Sequence, residues 1–127
     1  MSEVKETRPL MLAEQDGGRL LEVYLTGKIS AEDYEPWIRA VEKMVKERGK
    51  IRMMIEMNDF HGPTMGALWR DLKFDARHFK DIERVAMVGE TRWQHALAVF
   101  SKPFTAATVR YFDRADLDSA RAWLTSG

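Results

Sequence analysis

Leu20-Leu21-Glu22-Val23-Tyr24-Leu25, a stretch of mixed residues ending at Gly49, and then Ile51-Arg52-Met53-Met54-Ile55-Glu56-Met57 form the segment on which the fold turns. The first run is rich in strand-forming residues. Between the two runs, Tyr34, Trp37, Ile38, Val41, Met44 and Val45 recur at three- and four-residue spacing, which predicts an amphipathic helix. Gly49 closes that helix, and the length and branching of the second apolar run favour a buried strand. Two strands joined through a helix need a crossover connection. Such connections are right-handed in nearly every known case and build parallel sheets. The start of the helix has two readings: Ser30 with Asp33 fits a capping box, whereas Pro36 belongs in a first turn and favours Asp33 as the N-cap.

Upstream, a short apolar run at residues 10–13 is separated from Leu20 by Gln15-Asp16-Gly17-Gly18, the turn chemistry of a β-hairpin. Downstream, Asn58-Asp59-Phe60-His61-Gly62-Pro63 reads as a loop. Thr64 then caps a second helix with Met65, Leu68, Trp69, Leu72, Ala76 and Phe79 on one face and Phe74 off it. Val85-Ala86-Met87-Val88 is a third buried strand, ended by Gly89. Trp93, Ala96, Leu97 and Phe100 mark a third helix stopped by Pro103. Residues 108–112 supply a last strand, and Asp116 caps a terminal helix that turns Leu117, Ala120 and Leu124 to the sheet. The expected architecture is α/β, in the order ββαβαβαβα: a mixed, mostly parallel five-stranded sheet with right-handed crossovers.

A chain of 127 residues suits one domain with one core, and residues 1–9 read as a flexible tail rather than a signal peptide. With no cysteine there is no disulfide framework, zinc–thiolate site or thiol nucleophile, and the composition fits the cytoplasm. Twenty basic residues balance twenty acidic ones, so there is no overall field to attract nucleic acid or anionic lipid. No segment has the roughly 20 apolar residues of a membrane span.

The order of elements, the hairpin-to-helix start Leu25-Thr26-Gly27-Lys28-Ile29-Ser30, and the late segments Lys102-Pro103-Phe104, Val109-Arg110-Tyr111-Phe112-Asp113 and Ala122-Trp123-Leu124 resemble the SpoIIAA-like branch of the STAS family. The resemblance spans residues 10–125. It implies a fold similar to the anti-sigma-factor antagonists and to the lipid-binding half of CRAL-TRIO proteins. In those antagonists an Asp-Ser-Ser-Gly run opens the second helix and its first serine is a phosphorylation switch. Here the matching run is Pro63-Thr64-Met65-Gly66, which puts Thr64 at the acceptor position and keeps Gly66 as the glycine. Pro63 replaces the aspartate and Met65 the second serine.

Thr64 is therefore the phospho- or anion-site candidate, since a helix N-terminus offers free N–H groups and partial positive charge; as an N-cap alone it would be structural. Asp59, His61 and neighbouring Glu56 stand at the C-terminal end of a predicted parallel strand, where open α/β sheets place ligands. A carboxylate beside an imidazole suits acid–base work, but no nucleophile-elbow pattern accompanies it. His61, His78 and His95 show no paired ligand spacing, so neither a metal site nor a cofactor is expected. The aromatic and methionine surplus is mostly core, with Trp69, Phe74 and Trp93 as candidates for a partner- or ligand-binding surface. Lys43, Lys46, Arg48, Lys50 and Arg52 cluster at the end of the first helix, where they complement its dipole.

The expectation is a non-catalytic interaction or regulatory module that binds a protein partner or a second copy around Thr64 to Phe74. The alternatives are a carrier or sensor of a lipid-like or other small apolar ligand, and a hydrolase-type enzyme using Asp59 and His61.

Overall fold

The computed structural model describes residues 10–27, 31–60, 80–90 and 106–126. Strand β1 (Leu10–Gln15) turns through a 3-10 segment, η1 (Asp16–Gly18), into β2 (Leu20–Gly27). Helix α1 (Ala31–Arg48) leads to β3 (Ile51–Phe60), followed along the chain by β4 (Ile82–Gly89) and β5 (Thr108–Asp113). A second 3-10 segment, η2 (Arg114–Asp116), runs into the closing helix α2 (Leu117–Thr125). The expected second and third helices lie outside the described residues.

The five strands form one sheet in simple sequence order, β1-β2-β3-β4-β5. β1 is antiparallel to β2, with Gln15 opposite Leu20, and every other pairing is parallel. The mixed, mostly parallel sheet is thus the one the sequence pattern predicts. The tight turn works because Asp16, Gly17 and Gly18 all have positive φ, at 53°, 65° and 88°. Gly18 has a second reason to be glycine, since a Cβ there would lie 3.1 Å from Nε of Arg48.

Because side chains alternate across a strand, each strand serves both faces. On one face Leu21, Val23, Leu25, Met53, Ile55, Met57, Val85 and Met87 meet Tyr34, Trp37, Val41 and Met44 of α1 in a single apolar cluster. Trp37 is fully buried, stacks on Tyr34 with ring centroids 5.5 Å apart, and donates its indole N–H to Sδ of Met53 at 3.2 Å. On the other face Leu20, Met54, Ala86, Val88 and Phe112 form a smaller cluster with Ala120 and Leu124 of α2, and Leu117 and Trp123 pack against it.

Several boundaries depart from the sequence reading. Of the two starts left open for α1, the earlier one fits: the helix begins at Ala31, so Asp33 sits inside its first turn and is not the N-cap, and Pro36 stands within the helix, where it removes one backbone donor. At the other end Gly49, with φ +83°, donates its N–H to the carbonyl of Val45 at 2.8 Å and turns the chain out of the helix. β3 continues through Asn58-Asp59-Phe60, the start of the expected loop, because Asn58 still pairs with Thr26, and Phe60 pairs with Gly27 across a register shift. Asp116 occupies the N-cap position of α2, but its carboxylate makes no capping hydrogen bond; the 3-10 turn ahead of it supplies the entry instead.

Candidate functional site

The face that carries α2 is where the molecule buries charge. Glu22 stands in the middle of β2 and is only 3 % exposed, the one buried charged residue among those described. Alternation points it away from α1, toward α2. Its carboxylate accepts hydrogen bonds from the Tyr24 hydroxyl at 3.0 Å and from Nε and Nη2 of Arg121 at 3.2 and 3.4 Å. Such a pairing is required of a carboxylate held out of water. The bond to Glu22 also raises the pKa of the Arg121 guanidinium above its usual value.

Glu56 lies beside this group, one strand across, with its backbone paired to Tyr24. Its Oε1 is buried and has no hydrogen-bond partner among the described residues. Burial raises its pKa; Arg121 opposes the shift, Glu22 reinforces it, and Arg114 opposes it. Burial likewise raises the pKa of Tyr24, helped by its bond to Glu22 and by the charges of Glu22 and Glu56. Arg114, in η2, donates from Nη2 to the carbonyl of Met57 at 3.0 Å, which ties the start of the terminal segment to β3. A cavity of about 360 Å³ opens next to Glu22 and Arg121, lined also by Gln15, Asp16, Leu20 and Thr125.

Toward the other end of α2 two arginines of the sheet reach its last carbonyls. Arg52 donates from Nη1 to the carbonyl of Leu124 at 2.9 Å and to that of Ser126, and from Nε to Glu83 at 3.1 Å. Arg84 donates from Nη1 to the carbonyl of Trp123 at 2.6 Å and to Oγ of Ser126 at 2.9 Å. Its guanidinium also lies 5.3 Å from the Trp123 ring centre, with Arg110 at 5.1 Å from the same ring. A nine-residue helix is too short to persist alone, and cations at its C-terminus offset the negative end of its dipole. The Thr125 and Ser126 hydroxyls donate back to the carbonyls of Arg121 and Trp123 at 2.9 and 2.8 Å. These groups dock a helix: the cluster holds carboxylates, a phenol, two hydroxyls and guanidinium groups, bonded to one another or to the last carbonyls of α2.

A family model, SpoIIAA-like, matches residues 20–125, which takes in every element from β2 to α2. The chain belongs to the SpoIIAA-like family. Among solved structures, an uncharacterised protein of the DUF3478 family with a SpoIIAA-like fold, from Shewanella loihica PV-4, is similar at 27 % identity and a TM-score of 0.69. That likeness covers 97 % of this chain and 99 % of the other. No curated protein matches the sequence.

Within this SpoIIAA-like frame the sequence candidates separate. Glu56 stands in the C-terminal half of β3, one turn of the pleat from the charged group on β2. Asp59 is a β3 residue by its backbone. Thr64, Gly66, His61, Trp69, Phe74 and Trp93 lie outside the described residues, as does the side chain of Asp59. Arg52 lines a cavity with Arg48 and Lys50 at the end of α1, and its guanidinium also holds the end of α2, a role the sequence reading did not give it. Sequence reasoning missed Glu22, Tyr24, Arg84 and Arg121. The available signal was a single glutamate inside the apolar run Leu20 to Leu25, matched by an arginine one position after Ala120 on the sheet-facing side of the last helix. Among the described residues no three His, Asp or Glu side chains gather as metal ligands, and no helix is long and apolar enough to cross a membrane.

Proposed function

We propose that this SpoIIAA-like chain is a single-domain, non-catalytic regulatory module of the cytoplasm that acts by binding a protein partner or a second copy of itself. The observation that carries this reading is how the charged groups of the α2 face are used. Glu22, Arg121, Arg52 and Arg84 are engaged in holding α2 on the sheet, and Tyr24 is bonded to Glu22, so the work of these groups is structural. The family supports the same conclusion, because STAS-type domains commonly work through contacts with other proteins. The binding residues in this proposal are the segment from Thr64 to Phe74, with Gly66 and Trp69, and the further candidates Asp59, His61 and Trp93. Thr64 is its phosphate-accepting or anion-holding position.

The carrier reading draws no support from the cavities beside α2, whose linings include Glu22 and Arg121 in one case and Arg110, Asp113 and Asp116 in another. The test is a pair of variants, Phe74→Asp and Thr64→Arg, followed by sedimentation and by capture of partners from the native cytosol. Loss of association in either variant is the expected result. Unchanged association and an unchanged set of partners in both would remove the proposal.

A further inference from the structure

A second site lies at the opposite end of the sheet from the C-terminal end of β3, independent of the reading above. A cavity of about 430 Å³ opens at the N-terminal ends of β2, β3 and β4, lined by Asp16, Arg19, Arg48, Lys50, Arg52 and Glu83, together with residues 124–126. Four cations face two carboxylates there, in a chain whose total charge is zero. Glu83 is paired with Arg52, and Arg52 also takes the carbonyls of Leu124 and Ser126. The negative end of α2 is thereby neutralised. The side chains of Arg19, Arg48 and Lys50 make no hydrogen bond or ion pair among the described residues, and all three line the cleft.

Backbone hydrogen bonds set where these side chains start. The N–H of Arg52 donates to the carbonyl of Arg19 at 2.8 Å, extending the β2–β3 ladder to the rim. The N–H of Ile51 donates to the carbonyl of Asp81 at 3.1 Å, and Gly49 closes α1 on Val45, which together hold Lys50 between two strands and a helix end. Arg48 lies across Gly18, where the absent Cβ leaves room for its guanidinium. Two guanidinium forks and an ammonium converging on one polar cleft match the geometry and charge of phosphate oxygens better than those of a single carboxylate.

We propose that this cleft binds a phosphate-bearing anion, gripped by Arg19, Arg48 and Lys50. The phosphate belongs either to a small soluble ester or to a lipid headgroup, and two probes separate these sources. Inorganic pyrophosphate is titrated calorimetrically into the full chain, and co-sedimentation is measured with phosphatidylcholine vesicles with and without a phosphatidylinositol phosphate. Binding of pyrophosphate assigns a soluble phosphate; binding only to phosphoinositide vesicles assigns a headgroup. In both cases Arg48→Glu with Lys50→Glu should weaken binding by at least about tenfold, since charge-assisted hydrogen bonds are being replaced by repulsion. The same charge change at Arg39→Glu with Lys43→Glu, exposed positions on α1 away from the cleft, should leave it within about twofold, as distant surface charges are screened. The milder Lys50→Gln and Arg19→Gln variants, which keep the fold, should each lose several-fold. Failure of both probes to bind the parent chain would overturn the proposal, as would equal losses in the cleft and control variants.

Discussion

The two faces of this sheet are built from the same strands but by different rules. Under α1 the side chains of β2, β3 and β4 are aliphatic or methionine, and the helix adds Tyr34, Trp37, Val41 and Met44, so apolar burial is the main force on this layer. Under α2 the apolar cluster is smaller, and the helix is fixed by an ion pair in its middle and by two arginines at its end. The difference follows from length. Eighteen residues give α1 a long apolar stripe; nine give α2 only Ala120 and Leu124 as fully buried contacts, and directional bonds supply the rest.

Removing a large group from the α1 face should therefore have the greatest effect. Trp37→Ala should destabilise the fold by about 3–5 kcal/mol in urea denaturation, the range for deleting a buried aromatic ring. On the α2 face, Arg121→Ala leaves the Glu22 carboxylate buried with only Tyr24. Breaking a buried pair costs about 3–5 kcal/mol, but the Arg121 side chain is 42 % exposed, and solvent screening lowers the expectation to about 2 kcal/mol. A double-mutant cycle with Glu22→Gln should return a coupling of about 1 kcal/mol or more; additivity would show that the two faces do not differ in the way described.

Glu56 sharpens the contrast further, because its burial is a cost at neutral pH. Its folded-state pKa is raised, so the folded chain prefers the protonated acid. The stability tied to this group is complete below its ordinary value of 4.5 and is lost as pH rises through the raised value. Glu56→Gln should accordingly melt above the parent at pH 7, with the gap closing near pH 4. A parent that is the more stable of the two at pH 7 would contradict this. The smallest signal is optical. Burial raises the pKa of all three tyrosines, Tyr24, Tyr34 and Tyr111, the last pushed up to about 12. At pH 10, absorbance at the phenolate band should show less ionisation in the folded chain than in the unfolded one, where about half is expected.

The apolar face was legible in the sequence because one kind of residue repeats at one period. Tyr34, Trp37, Val41 and Met44 announce α1, and the runs at 51–57 and 85–88 announce buried strands. Where partners set an outcome, legibility ended. Asn58-Asp59-Phe60 carries loop composition yet extends β3, since β2 runs on to Gly27 beside it. Arg52 stands next to the basic end of α1 in sequence, but strand alternation sends it through to the other face. Glu22 and Arg121 are 99 residues apart, and nothing local to either shows the bond between them. The Thr64 to Phe74 surface was drawn from periodicity and from resemblance to the SpoIIAA-like family, and it stands as the proposal to be tested by mutation.

The most direct test of the functional account is native mass spectrometry of the unmodified chain purified from its own cells. The account predicts a defined assembly, a dimer or a complex of fixed composition with one partner protein. A monomer carrying a retained apolar small molecule would contradict it and return the chain to the carrier reading.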